Sequence, residues 1–166
     1  EDGMEEEVFS LIGPKRYDAP WREIESQGYI APADCVEVRV TLPDAERLTY
    51  ATAEPEERYR LAAATPFKNH VVERIVRGHA GERVLVIGQY LDQLAELGEL
   101  LDAPVVTGQT PVKERQVLFE QFRTGELLTL VVSKVANFSL DLPEAGVAVQ
   151  VSGTFGSRQE EAQRLG

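Results

Sequence analysis

Apolar residues follow two rhythms along this 166-residue chain. From Thr65-Pro66 onward, short unbroken apolar runs alternate with stretches of helical spacing. Val84-Leu85-Val86-Ile87 reads as a strand buried on both faces, since consecutive apolar side chains point to opposite sides. Val105-Val106 is a shorter strand, and Leu127–Val132 and Val147–Val151 are two more. Between them lie helical spacings over Val71–Arg77, over Leu91–Leu101, and after Thr110-Pro111, where Leu118, Phe119 and Phe122 form one stripe. Gly125 stops that last helix. Buried strands alternating with amphipathic helices predict an α/β fold: three layers, with a central, mainly parallel sheet covered by helices on both faces.

The first third has a different pattern. Leu11-Ile12-Gly13-Pro14 is a turn signal, and Asp18 before Ala19-Pro20 can cap a short helix over Trp21–Ser26, closed by Gln27-Gly28. Cys35–Leu42 alternates as a half-buried strand does, with Val36, Val38 and Val40 on one face and Glu37, Arg39 and Thr41 on the other. Pro43-Asp44 then opens a helical stretch rich in Ala, Glu and Arg that runs to about Ala64, with a break at Pro55. The sequence contains no internal repeat and no low-complexity segment.

Composition narrows the function classes. The length suits one domain with a sizeable core. No apolar run approaches the roughly 20 residues that span a bilayer, so no membrane partner is expected. The start, Glu1-Asp2, lacks the basic region of a signal peptide. A single cysteine, Cys35, excludes an internal disulfide, suits a reducing compartment, and is expected to be a small buried apolar side chain. His70 and His79 have no neighbours at metal-ligand spacing, so no metal site is expected. The net charge of −11 argues against holding DNA by bulk electrostatics. Residues 1–66 carry 15 acids and 7 bases, whereas residues 67–166 carry 13 and 10, so the deficit is concentrated upstream. DNA contact, if any, must then be local, shared with another domain and helped by backbone amides, and isolated affinity should be poor. Arginine outnumbers lysine 13 to 4, the bias of a high-GC genome.

Ligands of open parallel sheets bind beyond the carboxyl ends of the strands. Three short polar segments leave such ends: Gly88-Gln89-Tyr90, Thr107-Gly108-Gln109-Thr110 and Ser133–Asp141. Together they predict one working rim. Gly88 permits close backbone approach, and Gln89 and Tyr90 offer an amide and an aromatic ring, although a helix starting after a strand is common in any α/β fold. Thr110 is read as an N-cap before Pro111; with the free amides of the next turn it is either a plain cap or an anion site for a DNA phosphate. Neither G-x-G-x-x-G nor G-x-x-x-x-G-K-[ST] occurs, which disfavours a small-molecule Rossmann-like domain and excludes a phosphate loop within these residues.

The third segment is the most specific. Ser133-Lys134-Val135-Ala136-Asn137-Phe138-Ser139-Leu140-Asp141-Leu142-Pro143 precedes a strand, then Gly156-Ser157-Arg158-Gln159-Glu160-Glu161-Ala162-Gln163-Arg164-Leu165-Gly166. These stretches resemble motifs V and VI of superfamily 2 helicases, in the wording of XPB-type DNA-repair helicases. Leu11-Ile12-Gly13-Pro14-Lys15-Arg16-Tyr17 with Trp21 resembles the same family. The resemblance implies a C-terminal RecA-like helicase domain over 35–166, broken off within motif VI. Residues 1–34 would then be a lead-in from the preceding helicase domain, and 43–64 a reduced thumb-like insertion. That insertion is acidic here, with Glu54, Glu56 and Glu57 against Arg47, Arg58 and Arg60, which weakens a DNA-gripping role.

The resemblance further implies an ATP-dependent 3′–5′ DNA helicase of nucleotide excision repair and transcription, bacterial, cytoplasmic and nucleoid-associated. It implies that Asp141, Gln163 and Arg164 face ATP, with Gln163 and Arg164 in the catalytic cleft, and that Gln89, Thr110, Ser133 and Lys134 track DNA. ATP and Mg²⁺ would be held mainly by an N-terminal RecA-like domain, the partner across the cleft, so these residues alone should not hydrolyse ATP. Ser157 and Glu160 also form a capping box, which explains both structurally. Two rivals stay open: a double-strand DNA translocase that never separates strands, and a non-catalytic docking module for a repair nuclease.

Overall fold

The computed structural model describes residues 23, 26–27, 34–134 and 142–152. The chain divides into two compact units, residues 1–38 with 154–166, and residues 39–153. In the first, the described residues 34–38 are exposed and belong to neither helix nor strand. The second unit carries the sheet.

Its order is α1 (Asp44–Thr52), α2 (Pro55–Ala63), α3 (Pro66–Gly78), β1 (Val84–Gly88), α4 (Leu91–Leu101), β2 (Val105–Val106), α5 (Val112–Thr124), β3 (Thr129–Ser133) and β4 (Val147–Gln150). The described strands form one sheet in the order β2-β3-β1-β4, parallel throughout. Val84 pairs with Thr129 and Val147, and the β1–β3 ladder runs in step to Gly88 opposite Ser133.

Strand alternation sorts the apolar side chains into two cores. Val84, Val86 and Val131 pack with Val72 of α3 and Leu94 and Leu97 of α4. Leu85, Ile87, Leu130, Val132 and Val106 pack with Phe122 of α5 on the opposite face. Leu94, Leu97 and Phe122 are fully buried, and each such side chain contributes about 1.5–3 kcal/mol. The crossovers β1–α4–β2 and β2–α5–β3 run in opposite directions across the sheet and place their helices on opposite faces. The single handedness of parallel crossovers requires this arrangement. The doubly covered parallel sheet expected from the apolar rhythm is present. Its α4 and β2 have the predicted bounds, and α3 starts earlier, with Pro66 in its first turn.

The predicted strand over Cys35–Leu42 does not form: residues 34–43 lie in no strand or helix. Val36 and Val38 are 81% and 54% exposed, and Cys35 is exposed rather than buried. Alternation alone cannot hold a strand without a neighbouring ladder, and none of the described strands pairs with it. The helical stretch after Pro43 does break before Pro55, giving α1 and α2. Neither has a continuous apolar stripe; α1 buries no residue and α2 buries only Ala63. Arg58 closes the pair, donating from Nε to the Ala53 carbonyl (2.6 Å) and from Nη2 to that of Ala51 (3.0 Å).

Candidate functional site

Because the strands are parallel, their carboxyl ends emerge on one edge, and the sheet order fixes the sequence of segments along it. Thr107–Thr110 leaves β2, Ser133 and Lys134 leave β3, Gly88–Tyr90 leaves β1, and Val151-Ser152 leaves β4. The described parts of the predicted rim, which include Ser133 and Lys134 but not residues 135–141, therefore lie along one edge, with Ser133 near its centre. Gly88 is its registered neighbour on one side. On the other side Val106 pairs with Val132, which brings Thr107 alongside.

Ser133 is 3% exposed, and among the described residues its Oγ has no hydrogen-bond partner. A buried hydroxyl left unpaired carries a desolvation cost, so this oxygen has unused bonding capacity at the middle of the rim. Lys134 follows it, half-buried.

The β1 segment is tied to the end of β4. The Gln89 backbone N–H donates to Ser152 Oγ at 2.7 Å, and the Gln89 side chain is exposed. Sequence reasoning missed Ser152, which is itself buried. The signal was available: it stands directly after an apolar strand, as Ser133 does.

Thr110 corrects the sequence reading. Pro111, with extended ψ, occupies the cap position, and α5 has no side-chain cap. Thr110 thus stands one residue too early to reach the second or third helical amide. Its Oγ1 instead accepts the Thr107 N–H at 2.9 Å. Arg115 fastens the same loop, donating from Nη2 to the carbonyls of Thr107 and Thr110, each at 3.2 Å. The loop is closed on itself, and the α5 cap position offers no side-chain acceptor to the first-turn amides.

Around the β1 end, α2 reaches the rim. Arg60 pairs with Asp92 in the first turn of α4 at 2.8 Å, and its guanidinium lies 5.8 Å from the Tyr90 ring centroid. That hydrogen bond, followed by the Gln93 N–H, holds the Asp92 carboxyl below the ordinary aspartate range. A groove of about 630 Å³ opens here, lined by Glu46, Glu56, Glu57, Arg60, Leu61 and Thr65 among others. Its acidic lining is unfavourable to a DNA phosphate.

Asp141, Gln163 and Arg164 lie outside the described residues, as do Ser157, Glu160, Tyr17 and Trp21. Among the described residues no group of three or more His, Cys, Asp or Glu is placed to hold a metal ion. No helix among them is long and apolar enough to cross a membrane.

Comparison with known proteins shows what the chain is similar to. The chain is 74% identical over 166 residues to a DNA 3′-5′ helicase XPB of Kineococcus radiotolerans, and 69% identical over 166 residues to one of Mycobacterium tuberculosis. Each comparison covers 100% of this chain and 30% of the relative. Among solved structures, the Pyrococcus furiosus Hef helicase domain matches 58% of this chain and 22% of that one, with a TM-score of 0.52 and 20% identity. Likeness at that identity speaks for the fold alone, a RecA-like helicase domain. The family described as ERCC3/RAD25/XPB C-terminal helicase matches residues 24–166. With most of its length inside that match, the chain belongs to the XPB C-terminal helicase family.

Proposed function

We propose that this chain is the C-terminal motor domain of an ATP-dependent 3′–5′ DNA helicase acting in excision repair and transcription. Its rim would form half of the strand track, and the segments running from that rim would form one wall of an ATP cleft. The observation that carries the reading is the central place of Ser133. Its buried hydroxyl, without a partner among the described residues, stands between the Thr107–Thr110 loop and the Gly88–Gln89 turn. It also begins the S-K-V-A-N-F-S-L-D-L-P string.

In this reading Ser133 donates to a DNA phosphate, Lys134 adds the positive charge of the loop, and Gln89 offers its exposed amide to the strand. Thr110 acts indirectly, by shaping the loop that presents the uncapped amides of α5 to a second phosphate. Asp141 sits by the nucleotide sugar and couples it to the strand track. Gln163 and Arg164 contribute charge and hydrogen bonds to the triphosphate. Mg²⁺ bound with ATP would supply positive charge against that developing on the phosphates, and the phosphate loop that would hold them is not within residues 1–166. These residues alone therefore bind DNA weakly and hydrolyse no ATP.

The test is DNA-stimulated ATP hydrolysis by the full-length protein, wild type beside Arg164→Ala. Strong stimulation in wild type, lost by about 100-fold or more in a folded Arg164→Ala, is the expected result. Well-folded wild type with no DNA-stimulated hydrolysis would instead favour the docking-module reading.

A further inference from the structure

Carboxylates from three helices converge on the groove of about 630 Å³ beside α1 and α2. Glu46 comes from the first turn of α1, Glu56 and Glu57 from the first turn of α2, and Asp92 from the first turn of α4. The helix dipole explains why acids are tolerated in first turns, but not why these meet in one cavity. Arg60 offsets the charge of Asp92 at 2.8 Å. Glu46, Glu56 and Glu57 have no ion-pair partner among the described residues.

The same wall holds an unused hydroxyl. Thr65 lines the groove at the cap position of α3, yet it is 3% exposed and makes no side-chain cap hydrogen bond. Its Oγ1 has no partner among the described residues, which leaves both its donor and its acceptor capacity free. Leu61, Ala64 and Pro66 add an apolar stretch to the lining. Polar contacts brace the junction behind them. The Ala63 carbonyl at the end of α2 accepts from Gln93 Nε2 (3.1 Å) and from Lys68 Nζ (3.4 Å). Lys68 also reaches the Val151 carbonyl just past β4 (3.3 Å).

We propose that this groove is a docking site for a basic segment of a protein partner, which lays arginine or lysine side chains against Glu46, Glu56 and Glu57. The lining matches both parts of such a side chain. Leu61, Ala64 and Pro66 suit the methylene stem, and the carboxylates suit the charged head. Thr65 and Arg60 favour a polypeptide over a small polyamine. Arg60 uses a single guanidinium nitrogen on Asp92, so its remaining donors and the Thr65 hydroxyl need acceptors. Peptide carbonyls supply them, whereas a polyamine brings donors only. A DNA phosphate would meet three uncompensated carboxylates and be repelled. The helix pair α1–α2 then has a protein-binding task separate from the strand track on the rim.

The test uses the full-length protein and a fluorescein-labelled peptide of alternating arginine and alanine, followed by anisotropy. Wild type is compared with a triple variant of the groove, Glu46→Gln, Glu56→Gln and Glu57→Gln. A control triple variant, Glu99→Gln, Glu120→Gln and Glu126→Gln, removes the same charge from exposed positions elsewhere. The groove variant is expected to bind the peptide about ten-fold more weakly, and the control to stay within about two-fold of wild type. Thr65→Val, which loses only the hydroxyl, should weaken binding about three-fold or more at an unchanged thermal midpoint, and it decides the matter if the groove variant does not fold. No saturable binding by wild type would overturn the proposal. So would equal weakening in both triple variants, which would mean that net charge alone attracts the peptide, or full binding by Thr65→Val. Spermine displacing the peptide as strongly as unlabelled peptide does would make the groove a polyamine site. Weaker duplex DNA binding by the groove variant than by wild type would make it a DNA contact. Either result also overturns the proposal.

Discussion

Gly88 occupies its position because a single added carbon has nowhere to go. The sequence suggests a glycine for close approach to a ligand, but the structure gives a packing reason: Leu94 Cδ2 lies 2.7 Å from where a Cβ would stand. Leu94 is fully buried between β1 and α3, so it cannot yield cheaply. Gly88→Ala should destabilise the domain by about 1–3 kcal/mol, the usual range for overpacking, read as a fall in the denaturant midpoint at constant m-value. An unchanged midpoint would mean that Leu94 has another rotamer open to it. Thr110 shows a similar gap between residue type and role. A threonine before proline is a fair cap by composition, yet Pro111 takes the cap position and the hydroxyl turns back to Thr107. Sequence shows which residue types sit on a rim; it does not show which neighbour each hydroxyl will choose.

Elements were readable where the apolar pattern had a packing partner close in sequence. Strand β1 packs against α4, and α5 against β3, each a neighbour in the chain, so their rhythm and their environment agree. Cys35–Leu42 had the rhythm without the environment, and Val36 and Val38 remain in solvent. The tethers of α1 and α2 were not readable at all, because Arg60–Asp92 and Lys68–Val151 depend on how distant elements dock. The Arg60–Asp92 pair should be modest in strength, with side chains 62% and 56% exposed. A double-mutant cycle with Arg60→Ala and Asp92→Asn is expected to give a coupling below about 1 kcal/mol, reduced further by salt. Its pH dependence has a definite sign. A carboxyl held below its ordinary range contributes fully above the ordinary aspartate value and loses that contribution as pH falls through the depressed one. A coupling that persisted well below that range would show that the contact is not ionic.

At the scale of the molecule, the net charge of −11 sets the terms of any DNA contact. Residues 1–66 carry most of the excess acid, and three of those acids, Glu46, Glu56 and Glu57, line the groove beside α1 and α2. The isolated 166-residue chain should bind DNA more weakly than about 0.1 mM at physiological salt, the loose end of non-specific binding. Fluorescence anisotropy with a labelled oligonucleotide would check this, and tighter saturable binding would mean that the rim overcomes the overall repulsion by itself. The register of the sheet has a consequence for variation. Gly88 and Ser133 end their strands level, so a residue inserted within β3 would move the apolar side chains after it to the opposite face and turn Ser133 with them. The residues beyond that level obey no such count. Loops leaving the rim can grow, shrink and change chemistry while the strands keep time, so new specificities can arise at the edge without renegotiating the interior.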